Sequence, residues 1–569
     1  MWILNLPPFV PFLTIAVVVL FTRGKLSAAL MLLAPIWGAL NLWQIPADTV
    51  VKVTILGLEL TPLRVDKLSL IFGYMFHVAA LFSVIYALHV RDKIQQITCL
   101  VYAAAALGAV FVGDLLSLFV FWELMAISSV FLIWARRSTR ALGSGLRYFI
   151  YQFVSGLLLL LGTLIYWHQH GSLAFSQLEF QGTGATLIFI AFGIKCAFPM
   201  LHTWLTDAYP EATPSGTIFL SALTTKVAVY ALARSFAGSE ILIYIGALMT
   251  CFPIFYAVIE NDLRRVLAYS LINQLGFMVI GVGIGTELAL NGAVSHAFND
   301  ILFKGLLFMS MGAVLHMTGK VNGSDLGGLY KTMPKTTVLC LIGAASISAF
   351  PLFNGFVSKS MVMTAALELG YDWIWLVMLF ASAGVFHHAG IKIPYFCFFG
   401  RDSGLRATDP PANMLLAMII AATLCVLIGV YPNSLYQLLP FSQEYTPYDQ
   451  SHVLAQTQLL FFAALAFVWL NIKGIYPPEL HSTNLDADWL YRRLVPNLCA
   501  PVIDKIIEVD RNIRQGSIDK LHLLLNTLDK LHRPGGVFSR AQTISNMTLW
   551  ISILLACYLA LSLLGNGSI

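Results

Sequence analysis

Apolar segments about twenty residues long, separated by short polar loops, recur along nearly the whole chain. An α-helix of about 20 apolar residues is long enough to cross a lipid bilayer. The composition agrees, because 58% of the 569 residues are hydrophobic and only 11% are charged, whereas soluble proteins are roughly 25% charged. The pattern predicts an all-α, polytopic membrane bundle of about 14 to 16 transmembrane helices.

The predicted spans cover almost every apolar segment in the chain. They are residues 3–21, 27–43, 66–89, 98–112, 115–134, 146–167, 184–200, 216–235, 240–259, 265–284, 289–314, 335–351, 372–398, 413–431, 454–472 and 543–564. The segment that begins at Phe353 is expected to add a half-span. Between the second and third spans, residues 48–62 (DTVVKVTILGLELTP) are predicted to form a hairpin-like loop outside the membrane.

Basic residues lie in alternate loops, which predicts the orientation of the chain. Lysine and arginine are enriched on the cytoplasmic side of membrane proteins. The residues concerned are Arg23, Lys25, Arg91, Lys93, Arg136, Arg137, Arg140, Arg264, Arg265, Arg401 and Arg406. All of them fall on one side if the N-terminus lies outside. We therefore expect a multi-pass protein of a bacterial cytoplasmic membrane, inserted without a cleavable signal peptide.

Several predicted spans carry ionisable side chains away from their ends. Glu123 lies in LFVFWELMAISSVFLI, Lys195 in TLIFIAFGIKCAF, Lys226 in FLSALTTKVAVYALAR and Lys392 in FHHAGIKIPYFCFF. Such residues are costly inside a bilayer, so they indicate an ion pathway. A lysine whose carboxylate partner can move is a candidate proton switch.

One predicted span, NGAVSHAFNDILFKGLLFMS, is unusually polar. Its His296, Asp300 and Lys304 are spaced four residues apart, so they share one helix face and cover about 12 Å of depth. His388, four residues before Lys392, extends the same pattern. These groups form either a ladder for protons or a set of ion pairs that locks the bundle, and the two roles are compatible.

Two prolines lie beside buried lysines. Pro199 follows Lys195 by four residues, and Pro394 follows Lys392 by two. Proline removes a backbone donor and breaks helices. Broken helices at corresponding places in two halves of a chain are typical of transporters built from inverted repeats. We therefore predict helix breaks at both prolines and a hydrated ion pathway beside them.

Cysteine spacing and nucleotide motifs give no sign of a cofactor. The eight cysteines are scattered and include no C-x-x-C pair, and neither a Rossmann fingerprint nor a P-loop is present. We expect no metal site, no cofactor and no bound nucleic acid. The chain is expected to use energy from an ion gradient or from a partner.

Residues 484–533 differ from the rest of the chain. Isoleucine and leucine recur there at three- and four-residue steps, with charges on the other face, which predicts an amphipathic helix too charged to span the membrane. This helix lies either in the lipid interface or along the surface of a neighbouring subunit. A final anchor helix is predicted near 543–564.

Three motifs carry a resemblance to a known family. They are KCAFPMLHTWLTDAYPEATPSG, DLRRVLAYSLINQLGFM from Asp262, and SHAFNDILFKGLLFMSMG from Ser295. The sequence from about residue 60 to 430 resembles the antiporter-like subunits of respiratory complex I and the A and D subunits of Mrp-type cation/proton antiporters. The ending KIPYFCFFG is most similar to a D-type subunit, whereas the tail resembles a short form of the lateral helix of the L-type complex I subunit.

The resemblance implies roles for the buried residues. Glu123 and Lys195 would form the ion pair of a first half-channel, Lys226 would be the connecting lysine, and Lys392 would end the second half-channel. His296 and Lys304 would be the central relay. The implied organisation is an N-terminal region (1–97), a first half-channel repeat (98–260), a second (261–431) and a C-terminal region (432–569).

Four functions are compatible with these features. The favoured one is a membrane component of a multisubunit antiporter that exchanges Na⁺ for protons beside other membrane subunits. The others are a proton-pumping subunit of complex I or a membrane hydrogenase, an energising subunit for inorganic-carbon uptake, and a scaffold with inactive channels. The row of buried ionisable residues argues against the scaffold, and no carboxylate cluster defines a sodium site.

Overall fold

The computed structural model describes residues 6–442, 444–481, 484–537, 539 and 544–565. In this part of the chain, 13 helices are long and apolar enough to cross a membrane. Three shorter apolar helices, Val10–Phe21, Gly182–Lys195 and Pro334–Ile347, match the predicted spans 3–21, 184–200 and 335–351. The predicted polytopic helical bundle is confirmed.

The chain divides into two compact units, residues 1–484 and 485–569. The first unit begins with α1 (Val10–Phe21), α2 (Gly24–Gln44), α3 (Lys67–Ala87), α4 (Lys93–Phe111), α5 (Leu115–Trp134), α6 (Thr139–His170), α7 (Gly182–Lys195), α8 (Thr203–Ala208), α9 (Pro214–Ala222) and α10 (Thr224–Ser235). It continues with α11 (Glu240–Ile259), α12 (Leu263–Ile284), α13 (Glu287–Thr318), α14 (Pro334–Ile347), α15 (Asn354–Glu368), α16 (Asp372–Val385), α17 (Ala412–Val430), α18 (Asn433–Tyr436) and α19 (Gln450–Ile472). The second unit contains α20 (Val495–His532) and α21 (Ile544–Gly565).

The predicted hairpin forms between α2 and α3. Strand β1 (Val50–Ile55) pairs antiparallel with β2 (Leu58–Arg64), and Val50 lies opposite Arg64. Gly57, with φ of 80°, lies in the two-residue turn, where a left-handed conformation is needed. The register shifts between Val51 and Val53, which indicates a β-bulge.

The centre of the first unit is formed by α9 with α10 and by α12, whose most apolar stretches are entirely buried. Small residues let neighbouring helices approach closely. A Cβ added to Gly246 of α11 would lie 2.8 Å from the carbonyl oxygen of Gly276 in α12. A Cβ on Gly184 of α7 would lie 2.7 Å from the backbone nitrogen of Tyr166 in α6. Both helix pairs therefore depend on glycine at the contact.

Two groups of four helices, α4–α7 and α11–α14, have matching lengths. The third helix of each group, α6 and α13, has 32 residues, and the fourth, α7 and α14, has 14. Asp114 and Asp262 cap the second helix of each group, by accepting from Ser117 N at 2.7 Å and from Arg264 N at 2.9 Å. The two groups of helices thus repeat the same local structure.

Each group ends in a helix break with the same backbone signature. The break after α7 contains Ala197 and Met200, with φ of 61° and 69°, and the break after α14 contains Ala349 and Leu352, with φ of 57° and 74°. Left-handed backbone is uncommon for residues with a side chain, so both breaks are strained. The sequences there, CAFPM and SAFPL, are nearly the same.

The prediction of a helix break at Pro394 is wrong. Beyond Val385, α16 continues through π-helical turns at Phe386–Lys392 and Tyr395–Phe399. A π-turn is wider than an α-turn, so it accommodates a residue that has no N–H and whose ring would clash with the preceding turn. Gly390, four residues earlier, has no side chain to add to the crowding. The second break lies at residues 348–353, beside Pro351.

Candidate functional site

The predicted pathway residues lie on α5, α7, α10, α13 and the π-helical extension of α16, all within the first unit. Seven of them are completely buried: Lys195, Lys226, His296, Asp300, Lys304, His388 and Lys392. Buried charged groups are retained only where partners or function compensate for the lost hydration. The partners of each residue are therefore informative.

Lys195 is the last residue of α7 and lies where the helix breaks before Pro199. Its Nζ donates to the Trp122 carbonyl oxygen at 2.9 Å and lies 4.7 Å from the centre of the Trp122 ring. Glu123 is the next residue along the chain, but among the described residues no salt bridge joins it to Lys195. The predicted pair is thus adjacent but open in this state.

The Glu123 carboxylate occupies a space that exists because residue 156 of α6 is glycine. A Cβ at Gly156 would lie 1.4 Å from Glu123 Oε1 and 2.5 Å from its carboxyl carbon. Oε1 is buried, and within the described ranges no hydrogen-bond partner reaches it. The position of the carboxylate is therefore set by the space that Gly156 leaves open. It lies next to Lys195, and Oε1 is free to bind a water molecule or a proton.

We expect Gly156→Ala to lower proton flux strongly without preventing membrane insertion, since the added methyl displaces the Glu123 carboxylate. Gly143→Ala is the matched control on the same helix, because a Cβ there meets only Arg147 Nη1, at 3.4 Å. Flux in membrane vesicles, measured beside the amount of assembled protein, checks this. Wild-type flux in Gly156→Ala would contradict the assignment of this space to the carboxylate.

Lys226 of α10 and Asp300 of α13 form a salt bridge. Lys226 Nζ lies 2.5 Å from Asp300 Oδ2, and both side chains are fully buried. Lys226 also donates to the Ser221 carbonyl oxygen at 3.0 Å, across the irregular turn at Leu223 between α9 and α10. The sequence placed both residues in the pathway but did not pair them.

The three residues on α13 contact three different neighbours. His296 Nδ1 lies 3.0 Å from Ser358 Oγ of α15, and its Nε2 lies 3.2 Å from Gln274 Oε1 of α12. Lys304 Nζ donates to Ser270 Oγ at 2.8 Å. Because Asp300 lies between them and meets Lys226, α13 connects α10, α12 and α15 through polar contacts.

Lys359 of α15 is a buried lysine that the sequence-based prediction did not include. Its Nζ donates to the Ile347 carbonyl oxygen at 2.8 Å, where α14 ends, and lies 5.2 Å from the Phe277 ring centre. It therefore stands at the second helix break as Lys195 stands at the first. The repeat of CAFPM as SAFPL was the sequence signal that could have located it.

A cavity of about 370 Å³ lies beside Lys359, between α15, α16 and α19. Its polar lining includes Ser360, Thr364, Glu368 and His452. A space of this size holds many water molecules. It extends from the second break, at Ala349, to Glu368 at the end of α15, and most of its lining is apolar.

Lys392 lies in the π-helical extension of α16, with fully buried His388 one turn before it. Its Nζ donates to the carbonyl oxygens of Val258 at 2.6 Å and Glu260 at 2.7 Å, where α11 ends. Glu479 Oε1 lies 2.9 Å away. Glu479 was not predicted, because it follows α19 in a loop with no periodic pattern.

Arg264 was one of the basic residues used to predict the orientation. It lies in the first turn of α12 and is not exposed in a loop. It is 1% exposed, and its guanidinium donates to the carbonyl oxygens of Pro210 at 2.8 Å and Ala212 at 3.0 Å. It fixes the segment between α8 and α9. The remaining basic residues carry the orientation argument without it.

Together these contacts form a series of buried lysines, each close to a carboxylate, a hydroxyl or a helix-end carbonyl. Lysine can hold or release a proton, and water molecules can bridge the gaps between such groups. The arrangement can relay protons between the breaks.

Residues 112–386 match the family model described as "NADH:quinone oxidoreductase/Mrp antiporter, TM". Hydrogenase-4 component B of Escherichia coli is 29% identical over 426 residues, which is 65% of this chain and 62% of that protein. The A-type subunit of the Na⁺/H⁺ antiporter of Alkalihalophilus pseudofirmus is 30% identical over 440 residues (68% and 54%). The D-type subunit of the same antiporter is 28% identical over 354 residues (58% and 71%).

Two solved structures have the same fold. A chain of the Mrp complex from Dietzia sp. superposes with a TM-score of 0.68 at 21% identity, covering 82% of this chain and 98% of that one. A chain of an archaeal membrane-bound sulfane sulfur reductase superposes with a TM-score of 0.70 at 23% identity, covering 97% and 99%. The chain spans less than two thirds of the first two curated relatives. Its central transmembrane region belongs to the NADH:quinone oxidoreductase/Mrp antiporter family.

Proposed function

We propose that this chain is the proton-translocating membrane component of a multisubunit Na⁺/H⁺ antiporter. The observation that carries the proposal is the fully buried Lys226–Asp300 salt bridge, which in this proposal joins the first half-channel to the second. Burying two charged groups in a membrane costs free energy, so such a pair indicates a functional role. The similarity to the A-type and D-type antiporter subunits supports the same function.

In this proposal protons move through two linked half-channels. Glu123 and Lys195 load the first, Lys226 and Asp300 connect the halves, and Lys304 with His296 forms the central relay. His388 and Lys392 end the second half-channel, and Lys359 at the second break is an added member. Lys195, Lys226, Lys304 and Lys392 already donate to neighbouring groups, whereas Glu123 Oε1 and both ring nitrogens of His388 have no hydrogen-bond partner among the described residues. In this proposal water molecules bridge the gaps beside them.

We place the chain in the bacterial inner membrane with its N-terminus outside. The argument is the positive-inside rule applied to the exposed basic residues of the alternate loops. In this orientation Lys392 and the end of α11 lie toward the cytoplasm. The boundaries of the two half-channel repeats, 98–260 and 261–431, stay part of the proposal.

The test uses inverted membrane vesicles from a host without its own Na⁺/H⁺ antiporters, containing this chain with its partner subunits. Respiration acidifies the vesicle interior, and added NaCl is expected to release protons, seen as recovery of a fluorescent pH probe. Vesicles without this chain are the control. No recovery with NaCl or KCl in the complete complex would overturn the antiporter proposal.

The second candidate is a proton-pumping subunit of a redox complex, which the similarity to hydrogenase-4 component B favours. The same vesicles distinguish it. A redox subunit is expected to move protons only while an electron donor is oxidised, and it would not respond to NaCl.

Removing the second unit is expected to impair assembly rather than conduction. No side chain of α20 is buried, and one face carries a row of isoleucine and leucine residues. Covering about ten apolar side chains contributes on the order of 10 kcal/mol before ordering costs. Truncation after Asn484 should reduce recovery of the complex on native gels. An intact complex that has lost its flux would contradict this role.

A further inference from the structure

A short segment after α19 reaches the buried end of the proposed pathway. We call residues 474–481 the strap. The Tyr476 ring packs 5.2 Å from that of Phe467 and 5.4 Å from that of His387, and His481 Nε2 lies 3.2 Å from Asp325 Oδ1. The strap is therefore fixed at both of its ends, and Glu479 lies between them.

The side chain of Glu479 is buried although the residue belongs to a loop. Its side chain is 5% exposed, and Oε1 lies 2.9 Å from Lys392 Nζ. The other oxygen, Oε2, faces Gly323: a Cβ added to Gly323 would lie 3.4 Å from it. Within the described residues, Lys392 is the only cation paired with this carboxylate. A loop carboxylate withdrawn from water to this extent needs a function or a partner that compensates for the lost hydration.

Lys392 has the surroundings of a proton donor. Its Nζ donates to the carbonyl oxygens of Ala257, Val258 and Glu260 and to the Glu479 carboxylate. The carbonyls cannot accept a proton at any useful rate, whereas a carboxylate can. Glu479 is thus the one partner of Lys392, among the contacts of the described chain, that can exchange a proton with it.

We propose that Glu479 is the terminal proton-exchanging residue of the second half-channel. The inference rests on the proposed function of this chain. In the step, an N–H bond of the Lys392 ammonium breaks and an O–H bond forms on Glu479. The products are a neutral amine and a neutral carboxylic acid. Glu479 then releases the proton to water at the loop surface and is a carboxylate again.

The groups around Glu479 suit transient protonation. Burial raises the pKa of the Glu479 carboxyl, the Lys392 ammonium opposes the shift, and the nearby Glu260 carboxylate adds to it. Since a raised pKa favours the protonated acid, the neutral intermediate is accessible. Tyr476 is another titratable group beside it, and its own pKa is raised by burial and by Glu479. His481 and Asp325 pair at the end of the strap.

The experiment compares Glu479→Gln and Glu479→Asp in the vesicle assay with the whole complex. We expect Glu479→Gln to lower Na⁺-dependent flux at least tenfold across the pH range. Glu479→Asp should retain part of the flux with a shifted pH profile, because a carboxyl is kept but displaced. The matched control is Glu59→Gln, which breaks an exposed Lys52–Glu59 pair of 2.6 Å on the hairpin.

A purely structural role for Glu479 would have a different signature. Glu479→Gln would then reduce the amount of complex on native gels, while the flux per complex and its pH profile stayed at wild type. That result would overturn the inference and leave the antiporter proposal standing. Absence of NaCl-dependent flux in the wild-type complex would overturn both the antiporter proposal and the proposed role of Glu479.

Discussion

Lys195→Ala is expected to reduce Na⁺-dependent proton flux to background. Lys195 is fully buried at the first helix break, beside Trp122 and Glu123. Alanine removes the amine at that break. Glu123 then has no lysine with which it could exchange a proton. Loss of a positioned proton-transfer group costs roughly 10²- to 10⁴-fold in rate. The vesicle assay with a fluorescent pH probe measures the effect.

The control is Lys320→Ala, which removes an exposed lysine just after α13. It should leave flux unchanged. Native gels must show as much complex for Lys195→Ala as for wild type, because lost flux in an unassembled complex has no bearing on the pathway. Assembled Lys195→Ala complex that conducts like wild type would remove the first half-channel from the mechanism.

Asp300→Ala is expected to have the largest effect on stability. It leaves Lys226 as a buried ammonium with no carboxylate, and breaking a buried ion pair from one side costs about 3–5 kcal/mol. We expect a much lower midpoint of thermal unfolding in detergent, together with lost flux. Replacing both partners, as Lys226→Met with Asp300→Leu, should recover most of the stability, because no unpaired charge remains.

The double variant separates packing from conduction. If the pair belongs to the pathway, the stable Lys226→Met/Asp300→Leu complex should still conduct no protons. Wild-type flux in that complex would show that the pair only holds the two halves together. Thermal unfolding followed by tryptophan fluorescence and the vesicle assay give the two readouts on one preparation.

The fold could be predicted from the sequence to a large extent. The apolar segments gave the helices, since length and composition are sufficient criteria in a bilayer. Residues 48–62 gave the hairpin, through their β-branched residues and glycine. Pro394 was misassigned because a proline does not specify whether a helix breaks or widens into π-turns, which depends on tertiary packing around it.

The sequence indicated most of the buried ionisable residues of the candidate site, but not their contacts and not Lys359 or Glu479. Spacing on α13 identified His296, Asp300 and Lys304 as neighbours on one face. It could not give the partner of Asp300, because Lys226 is on another helix and periodicity has no information about partners. Glu479 was missed for the same reason. A single loop carboxylate is ordinary in a sequence and becomes notable only when Lys392 is found beside it.

The left-handed residues at the two breaks limit how these segments can change during evolution. Met200 and Leu352 have φ of 69° and 74°, a conformation that glycine adopts freely and asparagine tolerates. A β-branched residue would add steric strain there, so valine and isoleucine should be excluded. Glycine would relieve the strain but would also let the turn relax, and Lys195 or Lys359 would then lose a fixed position. Residues that are not β-branched, such as Met200 and Leu352, thus accept some backbone strain and keep the neighbouring lysine accurately placed.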